Sequence, residues 1–130
     1  MINDGLKLTG KLKIALNGET VQEVDNLVVT AGKGYVASRM KDATATAMSH
    51  MAIGSGSTAA AASDTALGNQ LGRVALTSTA VSAAVVTYTA TFGAGTGTGA
   101  VTEAGILNAS SGGTMLCRTV FSVVNKGASD

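Results

Sequence analysis

Residues 101–123 read VTEAGILNASSGGTMLCRTVFSV, and this stretch decides the fold. Val101 to Ala109 and Thr114 to Val123 are both strand-like runs, and Ser110-Ser111-Gly112-Gly113 lies between them. A four-residue connection that contains glycine is typical of a β-hairpin. The stretch therefore predicts two antiparallel strands.

Two further strand-like runs precede this hairpin, Arg73 to Thr79 and Ala83 to Phe92. Alternation in the second run predicts a core-facing side made of Ala84, Val86, Tyr88, Ala90 and Phe92. The segment Gly93 to Gly99 that follows is of low complexity, and we expect a mobile turn or a segment ordered by a neighbouring subunit. It lacks the Gly-Lys-Ser/Thr ending of a phosphate-binding loop.

The N-terminal region predicts a second hairpin. Leu6 to Leu16 alternates apolar and polar residues, Asn17-Gly18 tolerates positive φ at a turn, and Thr20 to Val24 forms the returning strand. We expect Asp25-Asn26 to break that strand. The flank with Lys7, Lys11 and Lys13 is interpreted as a solvated face, with nucleic acid or an acidic partner surface as alternatives.

One helix is predicted from Ala31 to Lys41, with Thr30 as its N-cap, although Gly32 and Gly34 weaken the first turn. A strand is expected from Met48 to Gly54. Beyond the loop that follows, the alanines at 59–62 fit either helix or extended chain, and Ser63 or Asp64 is a candidate cap for a short helical segment through Leu71.

Seven or eight short strands and one helix predict a single mainly β domain over residues 1–130, an antiparallel β-sandwich or jelly roll. Helices do not alternate with strands, which disfavours a parallel α/β fold. The chain has no proline and few charges to protect strand edges, so we expect those edges to be covered in oligomeric contacts.

The charge pattern points to assembly. Net charge is +1, only 13% of residues are charged, and Asp64 and Arg73 are the only Asp, Glu, Lys or Arg between Ala43 and Thr102. Interface cores are depleted in charge, so such a surface fits a chain covered by neighbours. A Ser/Thr/Gly-rich surface solvated through its hydroxyl groups is the alternative.

Residues that carry chemistry are few. A zinc site would have only His50, Cys117 and carboxylates to draw on, so His50 is interpreted as a packed or interface residue. No serine lies in a Gly-x-Ser-x-Gly motif, the absence of Trp disfavours a sugar-binding module, and no apolar run reaches the 18 or so residues of a membrane span. We therefore expect no enzymatic activity, cofactor or metal.

Several segments resemble small virion proteins of tailed bacteriophages. They cover most of residues 26 to 126 and include Asn26 to Met40, Met51 to Thr58, Asp64 to Arg73, Tyr88 to Phe92 and Thr102 to Asn108. Proteins with this pattern are similar to capsid cement or decoration proteins, and related stretches occur in tail-fibre and other tail-associated proteins. In such proteins the segment that resembles residues 125–130 is followed by a further alternating strand. This sequence lacks that strand.

Residues and resemblance together predict a cement or decoration protein, made in the host cytoplasm and located on the capsid exterior of the virion. The expected partners are the major capsid protein and further copies of this chain, as a dimer or trimer, without nucleic acid or membrane. A tail-fibre or tail adaptor module is the alternative. The candidate interface residues are Leu6, Leu8, Lys11, Lys13, Ile14, Gly54, Ser55, Gly56, Gly95, Gly97 and Gly99.

Overall fold

The computed structural model describes residues 7–130, which form eight β-strands and one α-helix. The elements are β1 (Gly10–Leu16), β2 (Glu19–Val28), α1 (Thr30–Asp42), β3 (His50–Gly54), β4 (Gln70–Ala75), β5 (Ser78–Ser82), β6 (Val85–Thr89), β7 (Gly99–Leu107) and β8 (Met115–Lys126). The predicted class, mainly β with antiparallel strands and one short helix, is confirmed. A jelly-roll arrangement is not confirmed.

Six strands form one sheet in the order β1-β2-β8-β7-β3-β4, and β5 and β6 form a separate two-stranded sheet. All pairings among the described strands are antiparallel. The predicted hairpin of β7 and β8 lies at the centre of the larger sheet. Its loop closes through Gly112 and Gly113, which have φ of 61° and 77°, a conformation that glycine adopts without steric cost.

The predicted turn between β1 and β2 is confirmed, because Asn17 and Gly18 both have positive φ. The predicted break at Asp25-Asn26 is wrong, since β2 continues through Val28. Asn26 lies opposite Gly10, where the missing side chain leaves room for its amide. An amide that fits beside its cross-strand neighbour does not interrupt the strand.

The β1–β2 hairpin pairs with β8 at Leu27 and Val28, and the rest of its described length contacts that strand without pairing with it. Its inner side chains, Leu12, Ile14 and Val24, pack against the buried residues Val101, Ala104 and Phe121. The hairpin thus covers part of one face of the sheet as a second layer, as in a β-sandwich.

The helix extends from Thr30 to Asp42, so its predicted position is confirmed, but the predicted Thr30 cap is wrong. Val29 occupies the N-cap without a side-chain hydrogen bond, and the Thr30 N–H donates to the Ala62 carbonyl at 2.8 Å. Gly32 lies directly against the Leu116 carbonyl, where any Cβ would collide. The glycine that weakens the helix therefore lets it approach β8 closely.

Register separates the two faces of the larger sheet. Met51, Ile106 and Cys117 are cross-strand neighbours on one face, which Tyr35 and Tyr88 cover. The neighbouring positions Ala52 and Arg118 lie on the other face. There Leu67 and Ala31 pack over the buried residues Val29, Ala52, Leu107 and Met115.

Three predictions for the middle of the chain need correction. The run Arg73 to Thr79 is divided between β4 and β5, with the Leu76 N–H donating to the Ser49 carbonyl. Residues 59–69 form an irregular loop without the short helix that Ser63 or Asp64 was expected to cap. On β6 the predicted core side is correct for Tyr88, whereas Val86 is 47% exposed.

Candidate assembly surfaces

A buried ion-pair network lies on the face of the sheet opposite Cys117. Glu103 on β7 is completely buried and Arg118 on β8 is 3% exposed. Arg118 donates from Nε to Glu103 Oε1 at 3.0 Å and from Nη1 to Asp64 Oδ2 at 2.9 Å. We call Asp64, Glu103 and Arg118 the buried ion-pair network.

Three backbone N–H groups complete the shell of Glu103. Those of Gly56 and Asn69 donate to Oε2 at 2.6 and 2.8 Å, and that of Gly68 donates to Oε1 at 2.7 Å. With Arg118, the buried carboxylate therefore accepts four hydrogen bonds. Segments that lie far apart in the sequence therefore meet at this single side chain.

The network is built to remain ionised. Burial alone would raise the pKa of Glu103, but the N–H donors of Asn69, Gly68 and Gly56, together with Arg118, lower the pKa below its ordinary value. The Ala61 N–H and Arg118 likewise lower the pKa of Asp64. General acid–base work requires a pKa near the working pH, so these carboxylates suit a structural role.

Residues 55–69, the pinned loop, are held at both ends by this arrangement. The Ser55 N–H donates to the Asn69 carbonyl at 2.9 Å, and Asn69 Nδ2 donates to Ser55 Oγ at 2.6 Å. Between these ends, most of the small uncharged residues face outward; those that are exposed are Ser57, Thr58, Ala59, Ala61, Ala62, Ser63, Thr65, Ala66 and Gly68. A loop fixed in this way loses less entropy when it binds a partner.

The predicted interface residues of this region lie at the base of the loop. Gly54 is buried and Ser55 and Gly56 are half-buried. A Cβ at either glycine would collide with the Glu103 carboxylate. These residues position the loop, and its exposed small residues lie at positions 57–68.

An open groove of about 440 Å³ adjoins the pinned loop. Ser57 and Ala59 line one side of the groove, and the strand residues Asn26, Arg118 and Thr119 line the other side. Among the described residues, Asn26 Oδ1 and Arg118 Nη2 are buried without a hydrogen-bond partner. Such atoms are uncommon in folded proteins, and they mark this region as one that a further polar group could complete.

The segment Gly93 to Gly99, which we call the glycine loop, is ordered by contacts within the chain, contrary to the prediction of a mobile or externally ordered segment. Gly97 is buried, with φ of 68°, and a Cβ there would lie 2.6 Å from Ile53 Cδ1. Lys126 Nζ donates to the Gly93 carbonyl at 2.9 Å. Gly99 begins β7, so of the three glycines assigned to the interface only Gly95 is exposed.

The outer face of β1 and β2 carries balanced charge. Lys11 lies opposite Asp25 and Lys13 opposite Glu23, and all four are exposed. Alternating signs offer no continuous basic surface to a phosphate backbone, which favours the solvated interpretation. Of the other predicted residues, Leu8 and Ile14 are half-buried, with Ile14 packed inward, and Leu6 lies outside the described residues.

The surface that the sequence did not single out is the hairpin of β5 and β6, which we call the arm. Val81, Val85 and Val86 are 72%, 61% and 47% exposed, and no Asp, Glu, Lys, Arg or His occurs between Arg73 and Glu103. The alternation in β6 led to the prediction of a core strand. A strand shows the same alternation when part of its apolar face extends beyond the domain and stays exposed. The missing charge was the signal that could have identified this surface.

The side chains with chemical reactivity form one serine–histidine pair and one buried thiol among the described residues. Ser49 Oγ and His50 Nδ1 lie 2.7 Å apart, and within residues 7–130 no group of three or more His, Cys, Asp or Glu side chains is placed to hold a metal ion. Burial raises the pKa of Cys117 to about 11. In the same part of the chain, no helix has the length and apolar character needed to cross a bilayer.

None of the family models, curated proteins or solved structures compared with this chain matches it significantly.

Proposed function

We propose that this chain is a structural protein of a tailed-bacteriophage particle, a cement or decoration protein that binds the outer surface of the major capsid protein lattice and stabilises the head. The observation that carries this proposal is the pinned loop. Small, uncharged, exposed residues are held there by three backbone hydrogen bonds to one buried carboxylate, which Arg118 also contacts. A rigid uncharged loop is suited to packing against another protein.

Energetics support a binding role for this loop. A buried ion pair adds little net stability compared with an apolar core of the same volume, because both charges must be desolvated. What the network does provide is a fixed loop conformation with its small residues directed outward. Repetition over a symmetric lattice then turns a modest contact into high avidity.

Binding can be tested with purified capsids from which the protein has been removed. Ala59→Glu places a charge on the exposed part of the pinned loop, whereas Val21→Glu places the same charge on β2, at a side chain that is 45% exposed. We expect the first variant to lose at least about tenfold in capsid affinity, the equivalent of about 1.4 kcal/mol, and the second to bind as the unmodified protein does.

Copy number separates cement from the tail alternative. Hundreds of copies per particle, comparable to the capsid protein, support the head. Copy numbers in single or low double digits support a tail-fibre or adaptor role. Absence of the protein from purified particles, or equal losses in the two glutamate variants, would contradict the proposal.

A further inference from the structure

The arm carries an apolar ridge on one of its two faces. Thr79 pairs with Tyr88 and Val81 pairs with Val86, so these four side chains lie on the same face. Near the base of the arm Tyr88 is half-buried against the core, whereas toward the tip Val81 and Val86 are exposed. These two valines form the ridge.

A groove lies at the base of the same arm. It has a volume of about 350 Å³ and is bounded by Thr79 and Tyr88 of the arm and by helix residues that include Tyr35 and Met40. Met40 is 72% exposed. Among the described residues that line the groove, Arg39 alone is charged, and it donates from Nη1 to the carbonyls of Ala43 and Ala45 at 3.2 and 2.8 Å.

We propose that the arm is a self-association surface, in which two copies pack about a two-fold axis with the valine ridge of each entering the groove of the other. A two-fold interface requires one patch that complements itself. The arm meets this requirement, since ridge and groove lie on the same face. Within the described residues the ridge carries no charge, and the cation of the groove, Arg39, already donates hydrogen bonds to two backbone carbonyls.

The physical need for a cover is specific to the arm. A two-stranded sheet is marginally stable in water, and both edges of this one are unpaired within the described residues. The outer face of β1 and β2, by contrast, carries four charged side chains that water solvates well. Burial of Val81, Val86 and Met40 in a second copy would remove the largest exposed apolar groups around the groove.

The size of the surface sets the strength of the dimer. Five-residue strands span about 17 Å, so the interface belongs to the class below about 1,200 Å² in total, which is typical of weak complexes. We therefore expect a dimer that forms at high concentration in solution. The inference goes beyond the proposed function, because it concerns the free protein and holds whether or not the chain binds a capsid.

Sedimentation velocity over a concentration series up to about 1 mM tests the dimer at the affinities of weak complexes. Val86→Glu introduces a charge into the ridge, and Val21→Glu is the matched control, since the two valines are 47% and 45% exposed. We expect the unmodified protein to show a monomer–dimer equilibrium, Val86→Glu to weaken it at least about tenfold, and Val21→Glu to leave it unchanged. Circular dichroism should show that both variants remain folded.

Disulfide cross-linking tests the geometry. Because Cys117 is buried, an introduced cysteine is the only reactive one. A mixture of Val81→Cys and Met40→Cys proteins should yield the mixed cross-linked dimer in excess over a mixture of Val21→Cys and Met40→Cys. A monomer at every concentration, equal weakening by Val86→Glu and Val21→Glu, or equal cross-linking in the two mixtures would overturn the inference. A monomeric variant that still binds capsids would leave the cement role standing.

Discussion

Replacing Glu103 by glutamine should destabilise the domain strongly although the side chain keeps its shape. The two carboxylate oxygens accept in pairs, Oε2 from Gly56 and Asn69 and Oε1 from Gly68 and Arg118. An amide has one oxygen, so two of the four donors would face an NH2 group. Each unsatisfied buried donor costs about 1–3 kcal/mol, and loss of one partner of a buried ion pair costs about 3–5 kcal/mol. We expect a loss of about 3–5 kcal/mol in the free energy of unfolding.

Asp64→Asn is the matched control. It makes the same chemical change in the same network, but the Asp64 side chain is 24% exposed. Water can replace a lost hydrogen bond there, so we expect a cost of about 1 kcal/mol or less.

Urea unfolding measures the free energy of unfolding of both variants. In thermal unfolding of a domain of this size, the loss expected for Glu103→Gln corresponds to a decrease of roughly 12–20 °C in Tm. Hydrogen exchange at the Gly56, Gly68 and Asn69 amides should report release of the pinned loop. If Glu103→Gln cost no more than Asp64→Asn, the carboxylate would not be what holds the loop in place.

Three further predictions follow from the same structure. The carboxyl groups of the buried ion-pair network have lowered pKa values, and the stability that they contribute is complete above the ordinary carboxylate range and is lost as pH falls through the folded-state pKa of each group. The free energy of unfolding should therefore drop on acidification below about pH 4.5. Glu103→Gln should make that drop smaller. In thermal unfolding, Gly97→Ala should lower the free energy of unfolding by about 2–4 kcal/mol, because positive φ and overpacking act together. Gly95 has a φ of 81° but open space around it, so Gly95→Ala should cost only about 1–2 kcal/mol. Equal costs would refute the packing of the glycine loop. Cys117 should react with a thiol reagent at the rate of global unfolding, because burial and a pKa of about 11 suppress its thiolate; rapid labelling of the native protein would contradict its burial.

Alternation and turn chemistry were enough to predict most of the strands. Asn17-Gly18 and the 110–113 loop specify their turns locally, so the two hairpins could be recognised from neighbouring residues alone. The break expected at Asp25-Asn26 did not occur because Gly10, fifteen or more residues away in sequence, makes room for the amide. Contacts of that kind have no local signature.

The buried ion-pair network was beyond prediction for a related reason. Glu103 sits in an apolar run, and its backbone donors come from positions 34 to 47 residues earlier in the chain. Nothing in the spacing of Gly56, Gly68 and Asn69 indicates that their N–H groups converge on one carboxylate. The glycine loop was predicted to be mobile or ordered by another subunit, because low complexity is typical of mobile segments. The sequence does not indicate that Ile53 of the same chain fills the space beside Gly97.

The place of β8 in the fold has a consequence for biosynthesis. Met115, Cys117 and Phe121 each belong to a different core cluster, and the same strand pairs with both β2 and β7. The ribosome synthesises the chain from its amino end, so β1, β2 and α1 emerge long before β8, the strand against which they pack. Translation of residues 115–126 therefore precedes closure of any of the three clusters, and until then the nascent polypeptide exposes apolar surface that chaperones recognise.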